Sequence, residues 1–168
     1  KSQLRSVDLY CKSLENIEAL AGLDCLEKIK LRDCEPLENL EPLAGLGKVE
    51  ILSLHGCESV KDFSALASMT SLRDLDASYT QIEDLQTFGA MTNLINLQLN
   101  GDAMLSLKGA QSLSQLESLT LWGCSKIEDF DGLSQLINLK ELSLGYCHQL
   151  RTLKPIQNLK KLETLDLS

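Results

Sequence analysis

LESLTLWGCSKIEDFDGLSQL, residues 116–136, contains one whole unit of the pattern that fixes the fold. Leu116, Leu119 and Leu121 form L-x-x-L-x-L, Cys124 follows three residues on, and Ile127 three after that. Leu119 and Leu121 flank the polar Thr120, the alternation of a strand with one buried face, because successive side chains point to opposite sides. Working outward, the unit recurs with first positions at Leu4, Leu26, Val49, Leu72, Leu94, Leu116, Leu139 and Leu162, at steps of 22, 23, 23, 22, 22, 23 and 23 residues. Its fourth and sixth positions stay apolar throughout, from Val7/Leu9 to Leu165/Leu167, and only Ala77 is small. A fixed period of this size decides the architecture before any local propensity does. Strands this short are unstable alone; stacked at about 4.8 Å they make a parallel sheet, and the return segments close each coil behind it. About seven full repeats and a partial eighth strand are expected, as one domain over residues 1–168.

The return segments repeat as well, in LENLEPLAGL (37–46), VKDFSALASM (60–69), IEDFDGLSQL (127–136) and LRTLKPIQNL (150–159). Their apolar residues recur every three, which predicts short 3₁₀ or single-turn pieces, with Pro42 and Pro155 opening a turn at their fixed φ. A full crossover helix does not fit the stretch available. The 168 residues are 43% hydrophobic but only 4% aromatic, which suits many small leucine layers better than one core built on large rings. A net charge of −8 argues against a phosphate-binding surface. No apolar run approaches the ~18 residues of a membrane span. Neither nucleic acid nor membrane insertion is therefore expected.

The motif L-x-x-L-x-L-x-x-C-x-x-[LIV] resembles the leucine-rich-repeat superfamily over essentially the whole chain. Units with the returns LEPLAGL (40–46) or DLQTFGAMTNL (84–94) are similar to internalin and phosphatase-regulator repeats. LSLHGCESV (52–60), LTLWGCSKI (119–127) and LSLGYCHQL (142–150) are similar to cysteine-bearing repeats of trypanosomatid and bacterial proteins. The resemblance implies an α/β leucine-rich-repeat solenoid, with a parallel β-sheet on the concave face, short 3₁₀ or irregular helical segments on the convex side, and a concave surface that binds protein or peptide. Fold analogy alone names no ligand.

Cys34, Cys57, Cys124 and Cys147 all occupy position 9 of a 23-residue unit, and Cys11 stands one residue early in the first unit. Where position 9 is Thr80 or Asp102 the unit has 22 residues. The pattern predicts a ladder of small inward side chains, each pairing its thiol or hydroxyl with a backbone group that the turn leaves open. A metal site would need paired ligands two to four residues apart, and no C-x-x-C occurs. Cys25, aligned with Lys48, Ser71 and Asn93, reads as an exposed turn residue with a surface thiol. Reduced thiols, with no N-x-[ST] acceptor in the chain, point to an intracellular, cytoplasmic location.

Phe63, Phe88 and Phe130 fall inside return segments and read as core, whereas every Tyr and Trp, namely Tyr10, Tyr79, Trp122 and Tyr146, falls at position 7 or 8. Those positions follow the last buried strand residue and are expected to face outward at the rim of the sheet. Tyr and Trp bury large area while keeping a polar handle, which is why they dominate binding hot spots. Arg32, His55 and Asn100 share position 7 and complete the candidate partner-binding rim. The outward positions carry 10 acidic and 6 basic residues, so the face nets about −4 and suits a mixed or mildly basic partner.

A catalytic site is not expected. His55 and His148 lie four repeats apart, roughly 19 Å by strand spacing, and no phosphate-binding glycine loop, HExxH or GxSxG is present. No cofactor is implied. The leading expectation is a non-catalytic protein-interaction module; the alternatives are a structural element of a large assembly, or the substrate-receptor region of a multidomain protein such as a ubiquitin ligase. Solenoids normally end in polar capping units, and the chain opens on Leu4, Val7 and Leu9 and closes on Leu162, Leu165 and Leu167. The expectation is either that the chain belongs to a longer protein or that its ends are covered by a partner, with end-to-end self-association as one form of such cover.

Overall fold

The computed structural model describes residues 3–168. Eight strands form one parallel sheet in chain order: β1 (Ser6–Tyr10), β2 (Lys28–Arg32), β3 (Ile51–Ser53), β4 (Asp74–Asp76), β5 (Asn96–Gln98), β6 (Ser118–Thr120), β7 (Glu141–Ser143) and β8 (Thr164–Asp166). The fourth positions pair into one unbroken column, Val7, Ile29, Leu52, Leu75, Leu97, Leu119, Leu142 and Leu165. The register therefore ignores the alternation between 22 and 23 residues, and the extra residue of the longer units is taken up outside the strands.

Short 3₁₀ helices close the coils, among them Glu41–Leu43 and Lys154–Ile156, which carry Pro42 and Pro155 in their first turn as expected. A second set of residues starts these turns. Asn39, Asp62, Asp84 and Asp129 each accept a hydrogen bond from the backbone N–H two residues on, and Ser106 and Thr152 do the same with their hydroxyls. These side chains satisfy donors that a single helical turn leaves open. The 3₁₀ helices pack against one another along the stack, each on its neighbour in the next coil. Leucines of positions 1, 4 and 6 and of the returns fill the interior, and Phe63, Phe88 and Phe130 are buried among them.

Cys34, Cys57, Cys124 and Cys147 are buried. The thiols of Cys57, Cys124 and Cys147 donate to the carbonyls of Leu31, Leu99 and Leu121, the sixth position of the preceding coil, at 3.4, 3.1 and 3.1 Å. Cys34 turns instead to Arg32 O in its own coil, and Thr80 donates to Ala77 O. Cys25 differs from expectation. It is half-buried, in the turn closed by the Leu26 N–H to Leu23 O bond.

Burial pushes the Cys57 and Cys124 thiols up to about 12 and raises those of Cys34 and Cys147. A folded-state pKa above the unfolded one holds the proton on the native chain. This stabilisation is complete below the unfolded value of 9.0 and is lost as pH rises from there toward about 12. Stability is expected to fall by about 1.4 kcal/mol per pH unit for each such thiol in that window, measured by urea unfolding. Replacing Cys57 and Cys124 with serine, which keeps a donor but not the titration, is expected to flatten the decline; an unchanged slope would assign it to other groups. Native thiol titration is expected to find Cys11 and Cys25 reactive and the other four slow.

Candidate functional site

The rim is built on one backbone feature. Position 8 is left-handed in every coil from the second to the seventh: Asp33 (φ 51°), Gly56 (71°), Tyr79 (57°), Gly101 (111°), Gly123 (77°) and Tyr146 (58°). Each of these N–H groups donates to the position-7 carbonyl of the next coil at 2.8–2.9 Å, continuing the ladder past the strands.

The two positions share one large side chain between them. Where position 8 is glycine, position 7 presents His55, Asn100 or Trp122; where position 8 is Tyr79 or Tyr146, position 7 is Ser78 or Gly145 and is buried. Gly145 is fixed by this exchange, since a Cβ there would meet the Trp122 ring at 2.7 Å. Rigid placement of Tyr79 and Tyr146 costs backbone energy, because a bulky residue at positive φ clashes with its own carbonyl. Tyr146→Gly is therefore expected to be more stable than Tyr146→Ala by about 1 kcal/mol, compared by urea midpoints. Equal midpoints would mean that the turn relaxes in the variants.

Of the residues singled out from sequence, the structure brings two groups together. His55 and Tyr79 meet edge to face with centroids 5.1 Å apart, and Trp122 meets Tyr146 at 4.8 Å and 59°. Tyr146 also touches His148 at 6.0 Å, a residue that its place beyond Cys147 gave no reason to include. Tyr10, Tyr79, Trp122 and Tyr146 are all exposed. Arg32 is tied to Asp8 at 2.8 Å, and Tyr10 stands at the far end of the rim, paired in register with it. Asn100 is half-buried and its Oδ1 accepts the Trp122 backbone N–H at 3.1 Å, which ties the two coils together at the rim.

Charge is unevenly settled along the face. Arg5–Glu27, Arg32–Asp8 and Lys140–Glu117 are paired at 2.7–2.8 Å. Asp74, Glu141 and Asp166 meet only neutral donors, from Asn96, Ser118 and Ser143 respectively, and Asp76 faces His55 Nδ1 at 3.5 Å. Asp166 is held below the usual carboxylate range, first by the Ser168 backbone N–H and also by Ser143. Among the described residues, no three His, Cys, Asp or Glu side chains converge as ligands for an ion, and no helix is long and apolar enough to cross a membrane.

Sheet, returns and rim together define a leucine-rich-repeat solenoid, and its structural neighbours are leucine-rich-repeat proteins. Internalin C2 of Listeria monocytogenes superposes with a TM-score of 0.78 at 25% identity, covering 91% of this chain and 66% of the internalin. Mouse RP105, solved in complex with MD-1, gives 0.73 at 22% identity over 98% of this chain and 30% of the neighbour. TLR13, solved in complex with ssRNA13, gives 0.67 at 22% over 90% and 23%. The chain thus spans less than two thirds of each of these neighbours. No protein-family model matches the sequence, and no curated protein does.

Proposed function

We propose that this chain is a non-catalytic protein-interaction module that holds a protein or peptide on its concave sheet, with Tyr10, Arg32, His55, Tyr79, Trp122 and Tyr146 as the contact edge. The observation that carries this reading is that every Tyr and Trp of the chain is exposed, and all of them lie on one rim. Asn100 belongs to the same rim, where its Oδ1 also accepts the Trp122 backbone N–H. RP105 in its complex with MD-1 lends the reading precedent for this fold. RNA, the ligand of TLR13 in its complex, is disfavoured for this chain by a net charge of −8. The mixed 22- and 23-residue units favour an internalin-like origin for the shorter ones. Six free thiols and the absence of N-x-[ST] favour work in a reducing, cytoplasmic compartment.

A photo-crosslinking amino acid placed in turn at Tyr79, at Tyr146 and at Leu105, an exposed residue outside the rim, tests the reading. Crosslinks to a partner are expected from the two rim sites and not from Leu105. Crosslinks from Leu105 alone would replace the proposal with that of a scaffold element packed through its convex side.

A further inference from the structure

We infer that coils 3 to 8 of the concave face bind an extended segment carrying two cationic side chains about four residues apart, one at His55–Tyr79–Asp76 and one at Trp122–Tyr146–Asp166. This names the partner chemistry of the rim and rests on the reading above. Three observations lead to it.

The first is the distribution of charge. Over the outward positions of the first two coils, Arg5, Lys28, Lys30 and Arg32 slightly outweigh Asp8, Glu27 and Asp33. Beyond them only Arg73 and Lys140 are basic against seven carboxylates, of which Asp74, Glu141 and Asp166 are held by neutral donors and Asp76 lies 3.5 Å from His55 Nδ1. The negative excess of the face therefore belongs to coils 3 to 8.

The second is that the two aromatic groups are built alike. Asp76 Oδ1 accepts the N–H of Ser78 at 3.1 Å, and Ser78 precedes Tyr79. Asp166 Oδ1 accepts the N–H of Ser168 at 3.0 Å, and the Ser168 carbonyl accepts the N–H of Tyr146. Each group thus includes an aspartate whose Oδ1 is fixed by a backbone N–H at position 7 of the rim. An aromatic face beside an unneutralised carboxylate is the chemistry that holds a guanidinium or ammonium. The rings keep room for it, since Tyr79, Trp122 and Tyr146 are exposed and each pair meets at a steep angle, 70° and 59°, with no flat stacking.

The third is distance. The pairs are centred three coils apart, about 14 Å at strand spacing, which an extended chain covers in about four residues. An even separation also places both side chains on the same face of the bound segment.

Synthetic peptides test this directly. TRTVTRT, with its arginines four apart, is expected to bind the intact chain about fivefold tighter than TRTRTVT, with arginines two apart, and than the analogue with citrulline for both arginines. Fluorescence anisotropy of labelled peptide reads the difference. Asp166→Asn and Asp76→Asn, which remove charge and keep shape, are each expected to weaken TRTVTRT and leave the citrulline peptide unmoved; circular dichroism checks that both variants fold. Equal binding of all three peptides, or no binding of TRTVTRT, overturns the inference. If rim crosslinks to a natural partner persist in that case, the interaction module stands and only its cationic ligand is wrong; if they vanish too, both fall.

Discussion

Replacing Gly109 with alanine is expected to lower the stability of the solenoid by about 3 kcal/mol, the sum of a left-handed penalty and forced overpacking. Gly109 has φ +99° and begins the 3₁₀ helix Ala110–Ser112. A Cβ there would lie 2.4 Å from Gln86 N and 2.6 Å from Leu85 C, backbone atoms of the 3₁₀ helix in the preceding coil. No flexible side chain is available to retreat. The coils are also tied at this point by the Leu85 N–H to Lys108 O bond at 2.9 Å, so relief requires the returns of coils 4 and 5 to separate. Gly22→Ala is the matched control, with φ +71° and open space around the added carbon, and is expected to cost only about 1 kcal/mol. Urea midpoints of the two variants measure the difference. Equal losses would show that the close approach is relaxed at little cost.

The second large effect is expected in binding. Trp122→Ala is expected to weaken the complex with the partner captured at the rim by about 2 kcal/mol, near thirtyfold, the usual scale for a central aromatic. Its melting temperature should stay close to that of the parent, because the ring is 40% exposed and the Asn100 bond goes to the Trp122 backbone. Trp122→Phe should recover part of the loss, as area returns without the indole N–H. Calorimetric titration of the three chains decides it. Unchanged affinity for Trp122→Ala would move the contact off this rim.

The fold was legible because it depends on repetition alone. Leucines at positions 1, 4 and 6 set eight strands and their register, and the three-residue spacing of the returns set the 3₁₀ layer. Pro42 and Pro155 fell where their fixed φ opens those turns. The polar starters Asn39, Asp62, Asp84 and Asp129 recur as regularly as the leucines. A polar residue at a fixed place is common to turns and loops of many kinds, so these starters do not by themselves specify a 3₁₀ turn.

The rim was legible only in outline. Tyr and Trp at positions 7 and 8 could be read as outward, but the exchange between those positions is set by a left-handed backbone. Glycine marks that backbone in only three of six coils, while Asp33, Tyr79 and Tyr146 adopt it unannounced. Ser78 and Gly145 therefore looked like outward positions and are covered. The bond from the Trp122 backbone N–H to Asn100 Oδ1, one coil away, has no signature in the chain. His148 joins the aromatic group across a turn whose path no local pattern specifies.

The left-handed column at position 8 also makes the rim editable. Each coil from the third to the seventh displays one large side chain of this dipeptide, and its position-8 N–H is held by a main-chain carbonyl, whereas the position-7 N–H groups of Ser78, Asn100 and Trp122 bond to side chains. Large-then-glycine and small-then-large pairs such as His55-Gly56 and Ser78-Tyr79 are therefore alternative letters on one spine, each spelled with its neighbours in view, as Gly145 beside Trp122 requires. A library that shuffles such pairs together with the side chains that hold their position-7 N–H groups would sample ligand preferences without disturbing a single leucine.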